Sequence, residues 1–209
     1  MPICTALAPD PRRPGYRVVE VDRGRFASLP DDALRPFGLA AGAEIPPPVL
    51  DALGRLAEIE SAYQAGLRLE RLRSHARADL RRRLLQKQHR GEAVDQALAR
   101  LEWAGVVDDA RFADFFARAQ ARRGRGPSRL LRDLLAQGVE RRLAERAVAA
   151  ALADEGGDPA GTARVVAERR ARQLEALPPA ARRRRLMAYL ARRGFRGPET
   201  RELVRELCG

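Results

Sequence analysis

The N-terminal part of the chain shows the alternation of apolar and polar positions that is typical of β-strands. Residues 16–21 read Tyr-Arg-Val-Val-Glu-Val, and residues 25–29 read Arg-Phe-Ala-Ser-Leu. The sequence Asp-Arg-Gly at residues 22–24 separates them and favours a tight turn. We therefore predict a short β-hairpin. Because two strands alone are only marginally stable in water, this hairpin must pack on another part of the molecule.

The segments on either side of the hairpin are rich in residues that interrupt regular structure. Residues 1–15 contain several prolines and many small residues, and we predict that they are disordered. Pro30 and the run Pro46–Pro48 enclose what we interpret as a linker or a small cap. Residues 16–48 are thus predicted to be a hairpin extension with a linker to the rest of the chain.

From residue 49 onward the pattern is helical. After Pro127, for example, Leu130 and Leu134 fall on one apolar face of the predicted helix. Pro127 suits the first position of a helix, and Gly138 suits the left-handed residue that ends one. Glycine and proline divide the region into about nine segments, mostly of about 10–16 residues. The dividing residues are Gly91, Gly105, Gly124, Gly126-Pro127, Gly138, Gly156-Gly157, Pro178-Pro179, Gly194 and Gly197-Pro198.

The helical region also repeats itself, because three apolar positions recur with an offset of 50 residues and then of a further 56. The second and third copies share a glycine followed by an apolar residue, as Gly138-Val139 and Gly194-Phe195, whereas the first copy has Gln88-His89 there. The recurring positions are Leu80, Leu84 and Leu98, then Leu130, Leu134 and Val148, then Leu186, Leu190 and Val204.

A unit of about 50 residues with three helices cannot bury its apolar face alone, whereas stacked copies bury a continuous core. We therefore predict a mainly α protein of tandem three-helix repeats that form an elongated, curved solenoid, preceded by the small β-hairpin. The predicted repeats are residues 49–106, 107–157 and 158–209.

The charge balance changes this picture by indicating a partner. The chain has 40 basic and 28 acidic residues, for a net charge of +12. Lys87 is the only lysine. Compositional bias explains arginine in place of lysine, but it does not explain the excess of basic over acidic residues. The balance favours an anionic partner, which is a nucleic acid, a membrane surface or an acidic protein.

The sequence offers little to support catalysis, a cofactor or a metal. His75 and His89 lack the spacing of metal ligands, and neither a phosphate loop nor a Gly-x-Ser-x-Gly elbow is present. Asp108 and Asp109 precede an apolar helical run, so we interpret them as helix-capping residues rather than a catalytic pair. We expect neither an enzyme nor a cofactor.

Cysteines and hydropathy bear on the cellular compartment. Cys4 and Cys208 lie near opposite ends of the chain and form no Cys-x-x-Cys pair, so a disulfide framework or zinc site is not expected. No stretch reaches the ~18 apolar residues of a membrane span, and the N-terminus lacks the apolar core of a signal peptide. We expect a cytoplasmic protein.

Aromatic residues are few, and two features admit alternatives. Phe112 and Phe116 fall on one helix face and are interpreted as core rather than as a base-stacking platform. Trp103 could anchor a partner, although we favour the interpretation that it closes the junction between repeats.

Clusters of arginine are the candidate contact residues. If they lay on one side, they would bind a phosphate backbone without reading its sequence, because the arginine fork suits phosphate oxygens. The alternative is a solvated helix face whose arginines pair with acids such as Asp133, and both interpretations stay open. The candidates are Arg81, Arg82, Arg83, Arg122, Arg123, Arg125, Arg182, Arg183, Arg184, Arg185, Arg192 and Arg193.

Several stretches between about residue 70 and the C-terminus closely resemble the RecX family. The most specific is residues 101–113, Leu-Glu-Trp-Ala-Gly-Val-Val-Asp-Asp-Ala-Arg-Phe-Ala, and residues 75–87 resemble the first-repeat helix of that family. Gln88-His89, and Ala76 in place of a Ser or Thr, depart from the family pattern. The residues that carry the resemblance as structural signatures are Asp108, Asp109, Arg111, Phe112, Ala113, Gly126, Pro127, Gly138, Gly194 and Phe195.

The resemblance implies a regulator of the RecA recombinase. We expect a monomer, because an open solenoid with polar ends needs no second copy to close it. Such a protein binds the RecA–single-stranded-DNA filament, in its groove or at its end, and inhibits ATP hydrolysis, filament growth and strand exchange. It would thereby modulate DNA repair, recombination and the SOS response, and single- or double-stranded DNA is a further candidate partner. One alternative is a basic nucleic-acid-binding module that competes with RecA for DNA without touching RecA. Another is a nuclease that uses Asp108 and Asp109.

Overall fold

The computed structural model describes residues 1–154 and 159–208, so the predicted break at Gly156-Gly157 lies outside the described residues. The chain divides into two compact units, Met1–Arg73 with Leu80–Val106, and Ser74–Asp79 with Val107–Gly209. The strands are β1 (Cys4–Pro9), β2 (Tyr16–Val21) and β3 (Gly24–Pro30). The helices are α1 (Asp31–Leu34), α2 (Pro47–Leu72), α3 (Arg77–Gln86), α4 (Gly91–Trp103), α5 (Asp109–Ala121), α6 (Pro127–Ala136), α7 (Arg141–Asp154), α8 (Pro159–Arg172), α9 (Pro179–Arg193) and α10 (Pro198–Cys208).

The N-terminal residues form a three-stranded antiparallel sheet in the order β1-β2-β3. The predicted hairpin is confirmed as β2 and β3. Its turn residues Asp22 and Arg23 have φ values of 50° and 65°, which are the left-handed values that a two-residue type I′ turn requires. The sheet buries Val19 and Leu29 in a core that also contains Leu53 of α2, so the hairpin packs on the first long helix.

The prediction that residues 1–15 are disordered is wrong. β1 pairs with β2 along its length, and the backbone amide of Asp10 donates to the carbonyl of Tyr16 at 2.8 Å. The prolines that suggested disorder do not prevent this, because β1 is an edge strand and Pro9 is its last residue. Pairing with β1 also satisfies an edge of β2 that a two-stranded hairpin would leave open.

The repeat offsets found in the sequence correspond to equivalent buried positions. Helices fall into three triplets, α2–α4, α5–α7 and α8–α10, and in each triplet the first helix packs against the third. The mainly α, helical-repeat fold is therefore confirmed. The recurring residues are all buried, namely Leu80, Leu84, Leu98, Leu130, Leu134, Val148, Leu186, Leu190 and Val204.

The middle helix of each triplet ends in the same turn. Gln88, Gly138 and Gly194 follow α3, α6 and α9 with φ values of 66°, 87° and 94°. In each turn the next residue donates its amide to a leucine carbonyl five residues earlier, over 3.3, 3.2 and 3.0 Å. These bonds satisfy carbonyls that the end of a helix leaves open. Gln88 thus takes the backbone conformation that glycine takes in the other two copies.

The two acids at the start of α5, Asp108 and Asp109, cap helices, as the sequence indicated. The Asp108 carboxylate accepts from the amides of Ala110 and Arg111 at 2.9 and 3.0 Å. Asp109 accepts from the amide of Arg77 at 2.7 Å, so it caps α3 rather than its own helix.

The aromatic residues divide into buried and exposed. Phe112 and Phe116 stack with ring centroids 5.8 Å apart, which confirms their place in the core. Trp103 is 93% exposed, so the interpretation that it closes a junction is wrong. A side chain at the last residue of a helix has little to pack against unless another element covers it.

Candidate functional site

Two of the predicted arginine clusters meet in the second unit. Arg123 follows α5, and Arg193 is the last residue of α9. The guanidinium of Arg193 donates through Nη1 to the carbonyl oxygens of Arg123 at 2.8 Å and of Gly124 at 3.3 Å. Gly124 permits this approach, because a Cβ there would lie 2.8 Å from Cγ2 of Val166 and 3.2 Å from Nη1 of Arg193.

These arginines line an open groove of about 790 Å³, which we call the basic groove. Arg122, Arg123, Arg169 and Arg193 supply its charge. None of the described residues that line it is acidic, so every charged side chain in its lining is positive. The other lining residues are Ala121, Gly124, Gly161, Thr162, Val165, Val166, Gln173 and Tyr189.

An aromatic ring and an amide lie among the charges of the basic groove. The guanidinium of Arg193 lies 5.2 Å from the centroid of the Tyr189 ring, and that of Arg170 lies 5.4 Å from it, so both are within cation–π range. Arg170 also donates to the amide oxygen of Gln173 at 2.7 Å. These contacts hold Tyr189 and Gln173 in place. Because a guanidinium has five N–H donors, Arg193 retains donors for a ligand after it has bonded the two carbonyls.

A second cavity in the same unit, of about 500 Å³, does not fit an anion. Glu199, Glu202 and Glu206 line it. Its Arg164 is already engaged, because it donates to both carboxylate oxygens of Glu206 at 2.7 and 2.8 Å. This pair raises the pKa of Arg164 and lowers that of Glu206.

Other predicted contact residues are engaged in holding the fold. Arg81 forms a two-pronged pair with Asp95, with N–O distances of 2.7 and 3.1 Å, and this pairing raises the pKa of Arg81. Arg125 and Arg129 both bind Asp133, whose side chain is 16% exposed. For Arg81 and Arg125 the alternative of acid-paired arginines thus describes the structure.

The remaining candidates do not line the basic groove. Arg82 is exposed and Arg83 half-buried on α3 of the first unit, and the Arg182–Arg185 run occupies the first half of α9, where three of the four residues are exposed. Arg192 is exposed beside Arg193.

Four polar or charged residues of the basic groove were not among the residues predicted from the sequence. Thr162, Arg169 and Gln173 lie on α8 or just after it, and Tyr189 lies on α9. A signal was present, because residues 162, 165, 169 and 173 are spaced by three or four and so share one helix face.

Most of the glycines of the sequence signature have a structural role in the second unit. A Cβ at Gly126 would lie 2.7 and 2.8 Å from the carbonyl carbon and oxygen of Gly194, and 2.8 Å from the ring of Phe195. The amide of Gly126 donates to the carbonyl of Arg193 at 2.7 Å. These residues therefore join the start of α6 to the end of α9, and Pro127 begins α6 as predicted.

Metal centres and membrane spans are two other classes of site. In residues 1–154 and 159–208, no group of three or more His, Cys, Asp or Glu side chains is placed to hold a metal ion. Over the same residues no helix has the length and hydropathy needed to cross a membrane.

Comparison with protein families gives two matches. Residues 108–148 match the family model of the second three-helix domain of RecX, and residues 160–204 match that of its third three-helix domain. These ranges contain most of the second and third triplets.

Named relatives agree with these matches. Regulatory protein RecX of Halorhodospira halophila is 35% identical over 144 residues, which are 68% of this chain and 85% of that protein. Regulatory protein RecX of Stenotrophomonas maltophilia is 35% identical over 146 residues, covering 70% of this chain and 86% of that protein.

Solved structures share the fold. The crystal structure of a regulatory protein RecX matches with a TM-score of 0.76 and 19% identity, over 99% of this chain and all of that one. RecX from Lactobacillus salivarius matches with a TM-score of 0.60 and 16% identity, over 72% of this chain and 96% of that one.

Proposed function

This chain belongs to the RecX family of regulatory proteins, and we propose that its target is the RecA recombinase. In this proposal the chain binds the RecA–single-stranded-DNA filament, in its groove or at its end, and inhibits ATP hydrolysis, filament growth and strand exchange. It thereby modulates DNA repair and recombination in the cytoplasm, where it acts as a monomer.

The basic groove is the observation that carries this proposal. Four guanidinium groups line one open surface, and none of its described lining residues is acidic. A RecA filament presents two kinds of anion, DNA phosphates and the acidic side chains of its protein surface. Arginine binds both through paired N–H donors. The net charge of +12 draws the chain toward either one.

The mechanism follows from where the groove arginines are attached. Arg193 is fixed by two backbone carbonyls, whereas the side chain of Arg123 is exposed and can reach a ligand. A filament segment held by these arginines is restrained against the movements between protomers that ATP turnover requires. Binding at a filament end would block growth by the same contacts.

The decisive experiment is a titration of the chain into RecA from the same organism, with single-stranded-DNA-dependent ATP hydrolysis as the readout at physiological salt. We expect inhibition well below one copy per RecA. If ATP hydrolysis fell only when enough protein had been added to coat the DNA, competition for DNA would be the better explanation. If the chain did not inhibit hydrolysis at all, the proposed function would be wrong, and the likeness to the RecX family would extend to the fold alone.

A pair of variants connects the inhibition to the basic groove. Arg123→Ala with Arg169→Ala removes two groove charges but keeps the Arg123 carbonyl that anchors Arg193. Arg142→Ala with Arg146→Ala removes two charges from exposed positions on α7 of the same unit. We expect the groove variant to need at least about tenfold more protein for half-inhibition, since charge-assisted hydrogen bonds are worth about 1.5–3 kcal/mol each. Equal losses in both variants would mean that only net charge matters.

Salt dependence separates the two candidate partners. If the groove binds single-stranded DNA alone, log affinity should fall with log salt by about 0.7 for each phosphate contact. The nucleic-acid module that competes with RecA for DNA predicts that full dependence, and it also predicts no binding to RecA without DNA.

A further inference from the structure

The first unit contains a pocket that the proposed function does not use. It has a volume of about 360 Å³ and lies where the turn after β1, strand β3 and helix α2 come together. Four arginines line it: Arg12 and Arg13 from the turn, Arg25 from β3, and Arg68 from α2. We call it the N-terminal pocket.

The two acids of the N-terminal pocket are occupied by donors from the protein itself. Glu60, only 2% exposed, accepts from the Tyr16 hydroxyl at 3.0 Å and the Gln64 amide at 2.8 Å through Oε1. Its Oε2 accepts from Arg100, a residue outside the pocket lining, at 3.0 Å. Glu60 therefore fixes one wall of the pocket, and its negative charge is balanced by Arg100.

Asp10 is used in the same way. It is 6% exposed, and it accepts from the backbone amide of Arg12 at 2.9 Å and from the Ser28 hydroxyl at 2.5 Å. The hydrogen bonds from Ser28 and Arg12 hold the pKa of Asp10 below its usual range. Asp10 thus shapes the turn that carries Arg12 and Arg13 and ties it to β3.

The arginines, by contrast, point to an external partner. Among the residues that the structure describes, Arg12, Arg25 and Arg68 have no carboxylate within ion-pair distance, and all three are exposed. Arg25 and Arg13 are near enough to Asp10 that their charges help to lower the pKa of its carboxyl group. Arg13 lies over the ring of Tyr16, with its guanidinium carbon 5.8 Å from the centroid. The four arginines come from three segments and outnumber the two acids of the pocket. This excess of positive charge in one concavity is unfavourable unless a further anion offsets it.

We propose that the N-terminal pocket binds a phosphate group. The chemistry fits phosphate because guanidinium forks pair with its oxygens, and the exposed hydroxyl of Ser61 adds a neutral donor at the rim. The volume exceeds the needs of a single phosphate, so the group can be part of a nucleotide or of a nucleic-acid backbone. This inference does not depend on the action of the chain on RecA.

The test uses the full chain and contains no RecA. The pocket variant is Arg25→Ala with Arg68→Ala, at two exposed positions. The control variant is Arg35→Ala with Arg55→Ala, which removes the same charge from exposed positions of the same unit that do not line the pocket. Both are made in the Arg123→Ala, Arg169→Ala background, so that binding by the basic groove is reduced.

Two probes distinguish the sources of phosphate. The first is sodium phosphate, compared with sodium chloride at equal ionic strength, with the thermal midpoint of unfolding as the readout. The second is a fluorescent single-stranded oligonucleotide, with anisotropy as the readout. We expect phosphate to raise the midpoint of the control and not that of the pocket variant.

The oligonucleotide then assigns the source. A loss of affinity of about tenfold or more in the pocket variant alone identifies a nucleic-acid backbone, and unchanged affinity identifies a free phosphate or nucleotide. The proposal is overturned if phosphate stabilises neither protein, or if both variants respond to it equally.

Discussion

Two junctions in the second unit each hold the start of one triplet's middle helix against the next triplet, but they use different hydrogen-bond acceptors. At the first junction the start of α3 is held by the second triplet, since the amide of Arg77 donates to the Asp109 carboxylate at 2.7 Å. At the second junction the start of α6 is held by the third triplet. There the amides of Gly126 and Ser128 donate to the carbonyls of Arg193 and Gly194, at 2.7 and 3.3 Å. One junction thus uses a side-chain acceptor and the other a backbone acceptor.

At both junctions a glycine of one triplet lies against the first turn of the preceding triplet's middle helix. A Cβ at Gly138 would overlap the Cβ of Ala78 in the first turn of α3, and a Cβ at Gly194 would overlap the backbone of Arg129 in the first turn of α6. Gln88 has the same left-handed backbone but follows α3 of the first triplet, which no earlier triplet precedes. Close packing therefore excludes a side chain at Gly138 and Gly194, whereas the left-handed φ alone does not exclude one at Gln88.

The largest effect is expected for Gly194→Ala. The new Cβ would lie 2.9 Å from Cα of Arg129 and nearer still to its amide nitrogen, and backbone atoms cannot move aside without displacing α6. Adding overpacking to the cost of a left-handed φ gives about 3–5 kcal/mol of lost stability. Urea unfolding followed by circular dichroism would measure it.

Gly197→Ala is the matched control for that change. Gly197 has a φ of 112°, but a Cβ at this residue would have no heavy atom within 4 Å, so only the conformational cost of about 1–3 kcal/mol applies. If the two substitutions cost the same, close packing at the second junction would not be the reason for glycine at residue 194.

A smaller and reversible effect is expected for Gly138→Ala. Its Cβ would overlap the side-chain methyl of Ala78, while Cα of Ala78 is 3.7 Å away. We expect a loss of about 2–3 kcal/mol. Ala78→Gly removes the overlapping methyl, so the double variant should recover part of this loss, despite the cost of about 1 kcal/mol for glycine in a helix. Strict additivity of the two changes in urea unfolding would contradict the contact.

The third prediction concerns the side-chain acceptor of the first junction. Asp109→Ala leaves the amide of Arg77 without its acceptor, and we expect a loss of about 1–2 kcal/mol. Asp109→Asn keeps an oxygen at that position and should lose less. The same urea experiment measures both, and equal losses would show that charge rather than the hydrogen bond matters. No equivalent substitution exists at the second junction, because its acceptors are backbone carbonyls.

The sequence could predict features that depend on local order, but not contacts between residues far apart in the chain. The spacing of leucines located the buried positions of every triplet, since burial follows helical periodicity, and Asp108 could be identified as a cap from local order alone. The acceptor role of Asp109 toward Arg77, 32 residues away, could not, because nothing local distinguishes it.

The candidate site was predictable only in part, for the same reason. Arg122, Arg123 and Arg193 belong to charge runs that the sequence shows directly, and so does Arg169, which is followed by Arg170. Only the packing of α8 and α9 shows that Arg169 and Tyr189 line the same groove. Arg81 and Arg125 belong to similar runs but pair with acids, and a run of charges does not show which members are paired. Strand β1 could not be predicted because its pairing partner, not its composition, determines its structure.

The smallest effect, and one of opposite sign, is expected for Gln88→Gly. A side chain in the left-handed region costs about 1–2 kcal/mol, and glycine removes that cost while adding about 0.5–1 kcal/mol of unfolded-state entropy. The net expectation is a gain of about 0.5–1 kcal/mol in urea unfolding. Gln86→Gly, at the last residue of α3, is the control and should lose about 1 kcal/mol. A loss at residue 88 as well would mean that the Gln88 side chain makes a stabilising contact, and the first turn would then differ from the other two in more than the absence of a packing neighbour.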